Sequence, residues 1–205
     1  TVSRYRNPPT SPAMAEGRRL TDLAHQQVAA VAGMDDEVVD ATAGNGHDTL
    51  ELARLVGETG RVHAFDIQQA AIDQTRRRLS RHGLLERVTL QLCGHEHLLE
   101  RLPPECRVKI AATMFNLGYL PGGDKQRVTR AATTVRAMEQ AVWCLRPGGI
   151  LTVIAYPGHP GGSDELDAVK DWFPHQRHIL DAVRIVAPGG MAPVLLCARR
   201  RKSQA

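Results

Sequence analysis

Apolar positions between residues 18 and 198 follow two different periods. Some segments repeat an apolar residue every three or four positions, as one face of an α-helix does. Others are short, nearly continuous apolar runs, as strands buried on both faces are. Helical spacing covers 18–32, where Leu20, Leu23, Ala24, Val28 and Val31 share a face. It returns at 46–56, 69–82, 95–102 and 125–145. In the last of these, Val128, Ala132, Val135, Met138, Val142 and Leu145 keep the spacing of a buried stripe. Strand-like runs cover 37–41, 61–67, 88–92, 108–115 and 150–156. Gly57 and Gly83 stand where helices should stop, and Pro103-Pro104 ends the short one before them. Arg146-Pro147-Gly148-Gly149 reads as a turn. Ser163 reads as the N-cap of a helix reaching residue 173, with Asp164 and Glu165 in its first turn. Residues 179–187 and 193–198 read as two closing strands around Pro188-Gly189-Gly190.

Strands alternating with helices predict an α/β, Rossmann-like fold: a seven-stranded, mostly parallel sheet with helices on both faces and right-handed crossovers. Ligands in such sheets bind beyond the carboxyl ends of the strands, near the point where strand order reverses. Chemistry is therefore expected in the loops that follow strands.

The 205 residues fit one domain at 17–199, with a polar, proline-rich arm at 1–16 and a basic tail at 200–205. Arg199, Arg200, Arg201 and Lys202 are expected to fray after the final strand. No run approaches the roughly 20 apolar residues of a membrane helix, and the first residues lack an apolar targeting core, so a cytoplasmic protein is expected. The net charge of +4 is compatible with a polyanionic partner without requiring one. Cys93, Cys106, Cys144 and Cys197 are widely spaced, with no C-x-x-C pair and no neighbouring histidine cluster at metal-ligand spacing. Neither disulfides nor a structural metal is expected, and Cys93, Cys144 and Cys197 read as small core residues.

The first strand runs into Asp40-Ala41-Thr42-Ala43-Gly44-Asn45-Gly46-His47-Asp48-Thr49. Glycines at this strand-to-helix junction allow a tight turn and a close approach of backbone to ligand. The second strand ends at Asp66, 26 positions after Asp40, where a carboxylate can accept hydrogen bonds from both ribose hydroxyls. Together these features point to an adenosine-type cofactor. A dinucleotide fingerprint would place a third glycine where Thr49 stands. Asp48 adds negative charge at the helix start, which disfavours a pyrophosphate and suits a cationic amine or sulfonium, unless it only complements the helix dipole. S-adenosylmethionine has both cations and no phosphate.

These runs carry a resemblance to a known family. The loop Asp40 to Thr49 just quoted, the strand end Ala64-Phe65-Asp66-Ile67-Gln68 and the string Phe115-Asn116-Leu117-Gly118-Tyr119-Leu120-Pro121-Gly122-Gly123-Asp124-Lys125 together resemble a bacterial family first labelled as rRNA methylases. That family is now associated with methylation of 5-aminomethyl-2-thiouridine at the tRNA wobble position. Tyr156-Pro157-Gly158-His159-Pro160-Gly161-Gly162 fits its later loop, and the resemblance extends over residues 20–199. The string after Phe115 is its most specific part, since the glycine loop is shared by methyltransferases at large.

The resemblance implies a class I methyltransferase fold, S-adenosylmethionine as donor and the anticodon region of tRNA as partner. It implies a cofactor site of Thr42, Gly44, Asn45, Gly46, His47, Asp48 and Thr49, with Asp66 and Gln68 on the ribose side and His95 and Glu96 beside the adenine. Asn116, Leu117, Gly118 and Tyr119 are implied where methyl and acceptor meet. One departure is Ala112-Thr113 in the fourth strand, where an acidic residue is expected. The arm is also longer than the family core.

Asn116 could accept a hydrogen bond from an attacking amine, or simply form a turn. His159 could serve as a base or touch phosphate, or be a plain surface histidine. Tyr119 could stack on an unpaired base, or pack within its loop. Tyr156 joins the substrate side. Lys125, Arg127 and Arg130 could meet RNA phosphates, or be a solvated face. A homodimer would extend the footprint of so small a domain on RNA. Competing readings are an rRNA or small-amine methyltransferase, a dinucleotide-dependent oxidoreductase (disfavoured by Thr49) and a non-catalytic cofactor-binding protein.

Overall fold

The computed structural model describes residues 19–118, 120, 128–181 and 183–202. In chain order the elements are α1 (Leu20–Ala29), β1 (Glu37–Asp40), α2 (His47–Leu55), β2 (Arg61–Asp66), α3 (Gln69–Arg81), β3 (Val88–Leu92), α4 (Leu98–Arg101), β4 (Ile110–Asn116), α5 (Ala131–Cys144), β5 (Leu145–Ala155), α6 (Gly162–His175), β6 (Arg184–Val186) and β7 (Val194–Arg199). One seven-stranded sheet runs in the order β3-β2-β1-β4-β5-β7-β6. The pairs from β3 through β5 are parallel, and β7 pairs antiparallel with both β5 and β6. Strand order reverses between β1 and β4, so a crevice is expected beyond their carboxyl ends.

Alternating side chains build a core on each face of the sheet. Val39, Phe65, Phe115, Leu151 and Val153 pack under α5 and α6. Val38, Val62, Ala112, Ile150 and Ile154 pack under α1 and α2. Phe65 and Phe115 are essentially fully buried. Burial of each contributes about 2–3 kcal/mol. Among the described residues no helix is long and apolar enough to cross a membrane.

Several expected boundaries move, each for a local reason. The helix expected over 125–145 begins, among the described residues, only at Ala131. Arg130 is extended at φ −131°, and the Thr129 amide donates to the Gly118 carbonyl at 2.9 Å, so this stretch is tied to the loop after β4 instead of coiling. Lys125 and Arg127 lie outside the described residues. The Arg146-to-Gly149 turn is absorbed into β5, because Leu145 already pairs with Ile110 and a register shift between Ile110 and Ala112 takes up the extra residues. Ser163 is not the cap of α6. Gly161, at φ 80°, holds that position and Ser163 donates to the Pro157 carbonyl. The strand expected over 179–187 shrinks to β6, with Leu180 in a single bridge to Arg200.

The basic run at the end of β7 does not fray as far as Arg201. The Arg200 guanidinium donates to the carbonyls of Trp143 (3.2 Å) and Leu145, supplying the cation that the last turn of α5 lacks. Arg201 Nε reaches the carbonyls of Arg177 and Leu180. Cys144 and Cys197 are buried as expected, whereas Cys93 is only half-buried; all four cysteines are free.

Gly46 precedes α2 at φ 76°, and a Cβ there would lie 2.8 Å from the Thr75 backbone. Gly83 has φ 66° with nothing within 4 Å. Gly83→Ala should therefore cost only the left-handed penalty of about 1–2 kcal/mol. Gly46→Ala should add overpacking of roughly 1–3 kcal/mol to it. Urea unfolding of the two variants checks this ranking, and equal losses would contradict it.

Candidate active site

A buried carboxylate shapes the loop after β1. Asp40 Oδ1 accepts from the Thr42 amide at 3.1 Å, and Oδ2 accepts from the Thr49 hydroxyl at 2.5 Å. Burial first, and then the neighbouring Asp48, push the Asp40 carboxyl well above the usual range. Thr49 is thus a brace inside the loop, which is why a β-branched residue stands where a third glycine was considered. The chain then turns at Gly44 (φ 52°). The Gly44 amide donates to Asp66 Oδ2 at 2.9 Å, and its carbonyl accepts from the Thr75 hydroxyl. Arg78 Nε donates to the Asn45 carbonyl at 2.8 Å. Asp66 Oδ1 accepts from the Gln68 amide at 2.8 Å. Burial raises the Asp66 carboxyl, and the backbone donors partly offset that.

Thr42, Gly44, Asn45, Asp66 and Gln68 from this network help wall a cavity of about 860 Å³. Such a volume suits a nucleoside-sized ligand together with part of an acceptor. Of the residues singled out above, Thr42, Gly44, Asn45, His47, Asp48, Asp66, Gln68, His95, Glu96, Asn116, Leu117, Gly118, Tyr156 and His159 line it together. Gly46 and Thr49 are not among its lining residues: one packs on α3, the other bonds to Asp40. Tyr119 lies outside the described residues, as Lys125 does. Arg130, placed beside the site as a solvated or phosphate-facing cation, does line the cavity, with Thr129 and Thr133. His95 is buried edge-on to Phe115, ring centroids 5.7 Å apart, and burial keeps its ring neutral by lowering its pKa.

A polar chain crosses the cavity wall. Asp48 Oδ1 lies 2.8 Å from His25 Nε2, and Asp48 Oδ2 accepts from Asn116 Nδ2 at 3.1 Å. The Asn116 amide nitrogen is thus turned to Asp48 and its carbonyl oxygen away from it, while the Tyr156 hydroxyl meets the Asn116 side chain. The backbone amide of Asn116 donates to the Thr42 hydroxyl at 2.7 Å, joining β4 to the loop after β1. The hydrogen bond to Asp48 raises the His25 pKa against the pull of burial. Burial disfavours ionised Asp48, but His25 and then Asn116 outweigh it and hold the carboxyl below its usual range. Burial, and next the Asp48 charge, raise the Tyr156 hydroxyl.

Sequence reasoning missed two members of this assembly. His25 reads as a polar position of an amphipathic helix, and nothing along the chain links it to Asp48, 23 positions away. Glu165 reads as a helix-dipole partner, yet it is buried and accepts from the hydroxyls of Thr129 and Thr134, both at 2.6 Å. Thr129 Oγ1 also accepts from the Gly118 amide, so Glu165 anchors the loop after β4.

Residues 62–188 match the model of the family described as "Putative rRNA methylase". The chain belongs to this family. It is 40% identical over 161 residues to the chloroplastic tRNA (mnm(5)s(2)U34)-methyltransferase of Arabidopsis thaliana, an alignment covering 75% of this chain and 58% of that protein. The chain thus spans little more than half the length of that curated relative. The crystal structure of a "putative rRNA-methylase" from Clostridium thermocellum is similar with a TM-score of 0.84 at 37% identity, over 89% of this chain and 98% of the other. A "putative methyltransferase" from Streptococcus mutans, solved in complex with SAH, gives a TM-score of 0.79 at 30% identity, again over 89% and 98%. The fold is that of the class I methyltransferases, as the family resemblance implied.

The His25–Asp48 pair sets a pH dependence with a definite sign. A raised His25 pKa contributes stability that is complete below the unfolded value near 6.5 and is lost as pH rises through the folded value. The lowered Asp48 pKa keeps the pair intact until pH falls through that lowered value. His25→Gln keeps a donor without the charge. Urea unfolding should show the wild type ahead by about 1 kcal/mol near pH 5.5, with the difference shrinking toward zero near pH 9. A difference that does not vary with pH would rule out an ionic pair.

Proposed function

We propose that the chain is an S-adenosylmethionine-dependent methyltransferase acting on the aminomethyl nitrogen of 5-aminomethyl-2-thiouridine at the tRNA wobble position, in the cytoplasm. The observation that carries this reading is one cavity in which Asp66, held by the Gly44 and Gln68 amides, faces the Asp48–Asn116–Tyr156 chain. The relative in Arabidopsis thaliana supports the acceptor by its name, and the SAH complex of the Streptococcus mutans protein supports the donor.

The residues present fit this donor. The Asp66 carboxylate has each oxygen engaged by a backbone amide at its back, which leaves lone pairs toward the cavity for two sugar hydroxyls. Neutral, buried His95 beside Phe115 offers an apolar edge for a purine. Acidic Asp48, Asp66 and Glu96 suit a cationic ligand better than a phosphate. When bound, the donor supplies an electrophilic methyl group on a sulfonium. Asn116 would then orient the acceptor: its carbonyl oxygen would accept an N–H of the amine and so direct the nitrogen lone pair toward the methyl group. Asp48, held ionised by His25, fixes the Asn116 amide in that orientation and favours the positive charge that develops on the amine.

Tyr156 and His159 border Gly118, whose missing side chain leaves room between them; a Cβ there would meet both at 3.8 Å. This gap admits the acceptor's aminomethyl arm, and Arg130 meets the adjoining RNA backbone. A second copy of the chain would widen the surface available to an anticodon stem.

Asp66→Ala should weaken donor binding about 10- to 100-fold in calorimetric titration, as expected for loss of charge-assisted hydrogen bonds. Unchanged affinity would remove Asp66 from the cofactor site. Asn116→Ala should lower methylation about a hundredfold while changing donor affinity far less, and equal losses of both would reject its acceptor role. Nucleoside mass spectrometry of tRNA from a strain lacking this enzyme, incubated with the protein and labelled donor, should show label on the wobble uridine. Label on rRNA alone, or on a free amine alone, would overturn the tRNA assignment.

A further inference from the structure

At the opposite end of the sheet from the cavity, three side chains with metal-ligating atoms meet below the core that packs under α5. Glu37 opens β1, His63 is the third residue of β2, and Cys106 lies in the segment between α4 and β4. Glu37 pairs with Arg61, and His63 pairs with Val39. Glu37 and His63 therefore sit diagonally on one face of the sheet, and Cys106 closes over them from the loop side. Glu37 Oε2 is 3.0 Å from His63 Nε2 and 2.7 Å from Cys106 Sγ, and Sγ is 3.8 Å from Nε2. His63 and Cys106 are buried, while Glu37 is partly exposed.

We propose that Glu37, His63 and Cys106 form a binding site for one divalent, borderline-soft transition-metal ion of the zinc type, separate from the methyl-transfer cavity. One nitrogen, one sulfur and one carboxylate oxygen make a donor set that zinc takes readily in a tetrahedral site. In such a site sulfur and nitrogen ligands stand about 3.6 Å apart, close to the 3.8 Å found here. The carboxylate oxygen must draw back by somewhat under 1 Å to reach its own place. Glu37 is the member with room to do so, because it opens toward solvent. That open side also gives the fourth position to water.

Without metal the three groups form a hydrogen-bonded triad: the Cys106 thiol and His63 Nε2–H both donate to Glu37 Oε2. Metal binding replaces both hydrogens. The thiol proton leaves to solvent and His63 Nε2 gives up its hydrogen, while Nδ1 has no partner among the described residues that would fix the tautomer. Metal binding therefore releases protons.

The site would clamp a strained segment. Val108, two residues beyond Cys106, holds φ 62°, a costly conformation for a β-branched residue. A metal bond to Cys106 would tie that segment to β1 and β2.

Cobalt(II) is the probe, since it reports thiolate and tetrahedral ligation in its absorption spectrum. Titration of the full chain should give a sulfur-to-cobalt charge-transfer band that saturates at one equivalent and is displaced by zinc. The band should persist in Cys93→Ser, vanish in Cys106→Ser, and weaken at least tenfold in affinity in Glu37→Gln. Zinc should raise the Tm of the wild type by several degrees and leave that of Cys106→Ser unmoved. Circular dichroism and donor binding of Cys106→Ser show whether it folds; if it does not, Glu37→Gln alone decides. Absence of the band in the wild type, its survival in folded Cys106→Ser, or wild-type affinity in Glu37→Gln would each overturn the proposal and leave the triad as a hydrogen-bonded brace.

Discussion

The buried carboxylate of Asp40 is the constraint on which the site depends. It stands where β1 ends, almost without solvent, and gathers the Thr42 amide and the Thr49 hydroxyl around it. An unpaired carboxyl at such a depth would be expensive. Folding the loop back on itself satisfies it, and that fold places Gly44 opposite Asp66 and starts α2 with Asp48 facing the cavity. The loop conformation therefore follows from one buried acid seeking donors. The glycines then make that conformation accessible.

The cavity walls come from the ends of β1 to β5, five strands, and polar side chains couple them across the layers. Asn116 is bonded through its backbone to Thr42 and through its side chain to Asp48. Asp48 is bonded to His25 on α1. Glu165 on α6 reaches Thr129 and Thr134. Each bond spans elements far apart in the chain, so the site's geometry depends on helices from both faces of the sheet being docked. Partly buried charges of this kind stabilise little on balance, but they specify one arrangement of the loops.

Most of the fold was legible because its signals are local. Continuous apolar runs marked β1 to β5, and glycines marked the helix ends. The parallel order followed from alternation alone. What failed was governed by distant partners. Val128 keeps helical spacing with α5, yet the bond from Thr129 to Gly118 holds that stretch extended. Arg200 reads as part of a polar end, yet the carbonyls of α5 claim it. The same holds at the site. Gly44 and Asp66 announce themselves by their places at strand ends, whereas His25 is an ordinary helix residue until Asp48 is brought against it. Cys106 looked isolated for the same reason: its neighbours His63 and Glu37 are 43 and 69 positions away and meet only through the sheet.

The position of β7 bears on how the molecule assembles. It is the latest strand of the sheet in chain order but lies inside it, between β5 and β6. β6, made earlier, has no neighbour in the sheet except β7 among the described residues. During synthesis the parallel half can close as it emerges, while β5 keeps a naked edge and β6 stays unpaired until residues 194–199 leave the ribosome. That interval exposes Val153 and Leu151 beside an open edge, the circumstance in which strands of neighbouring nascent chains pair by mistake.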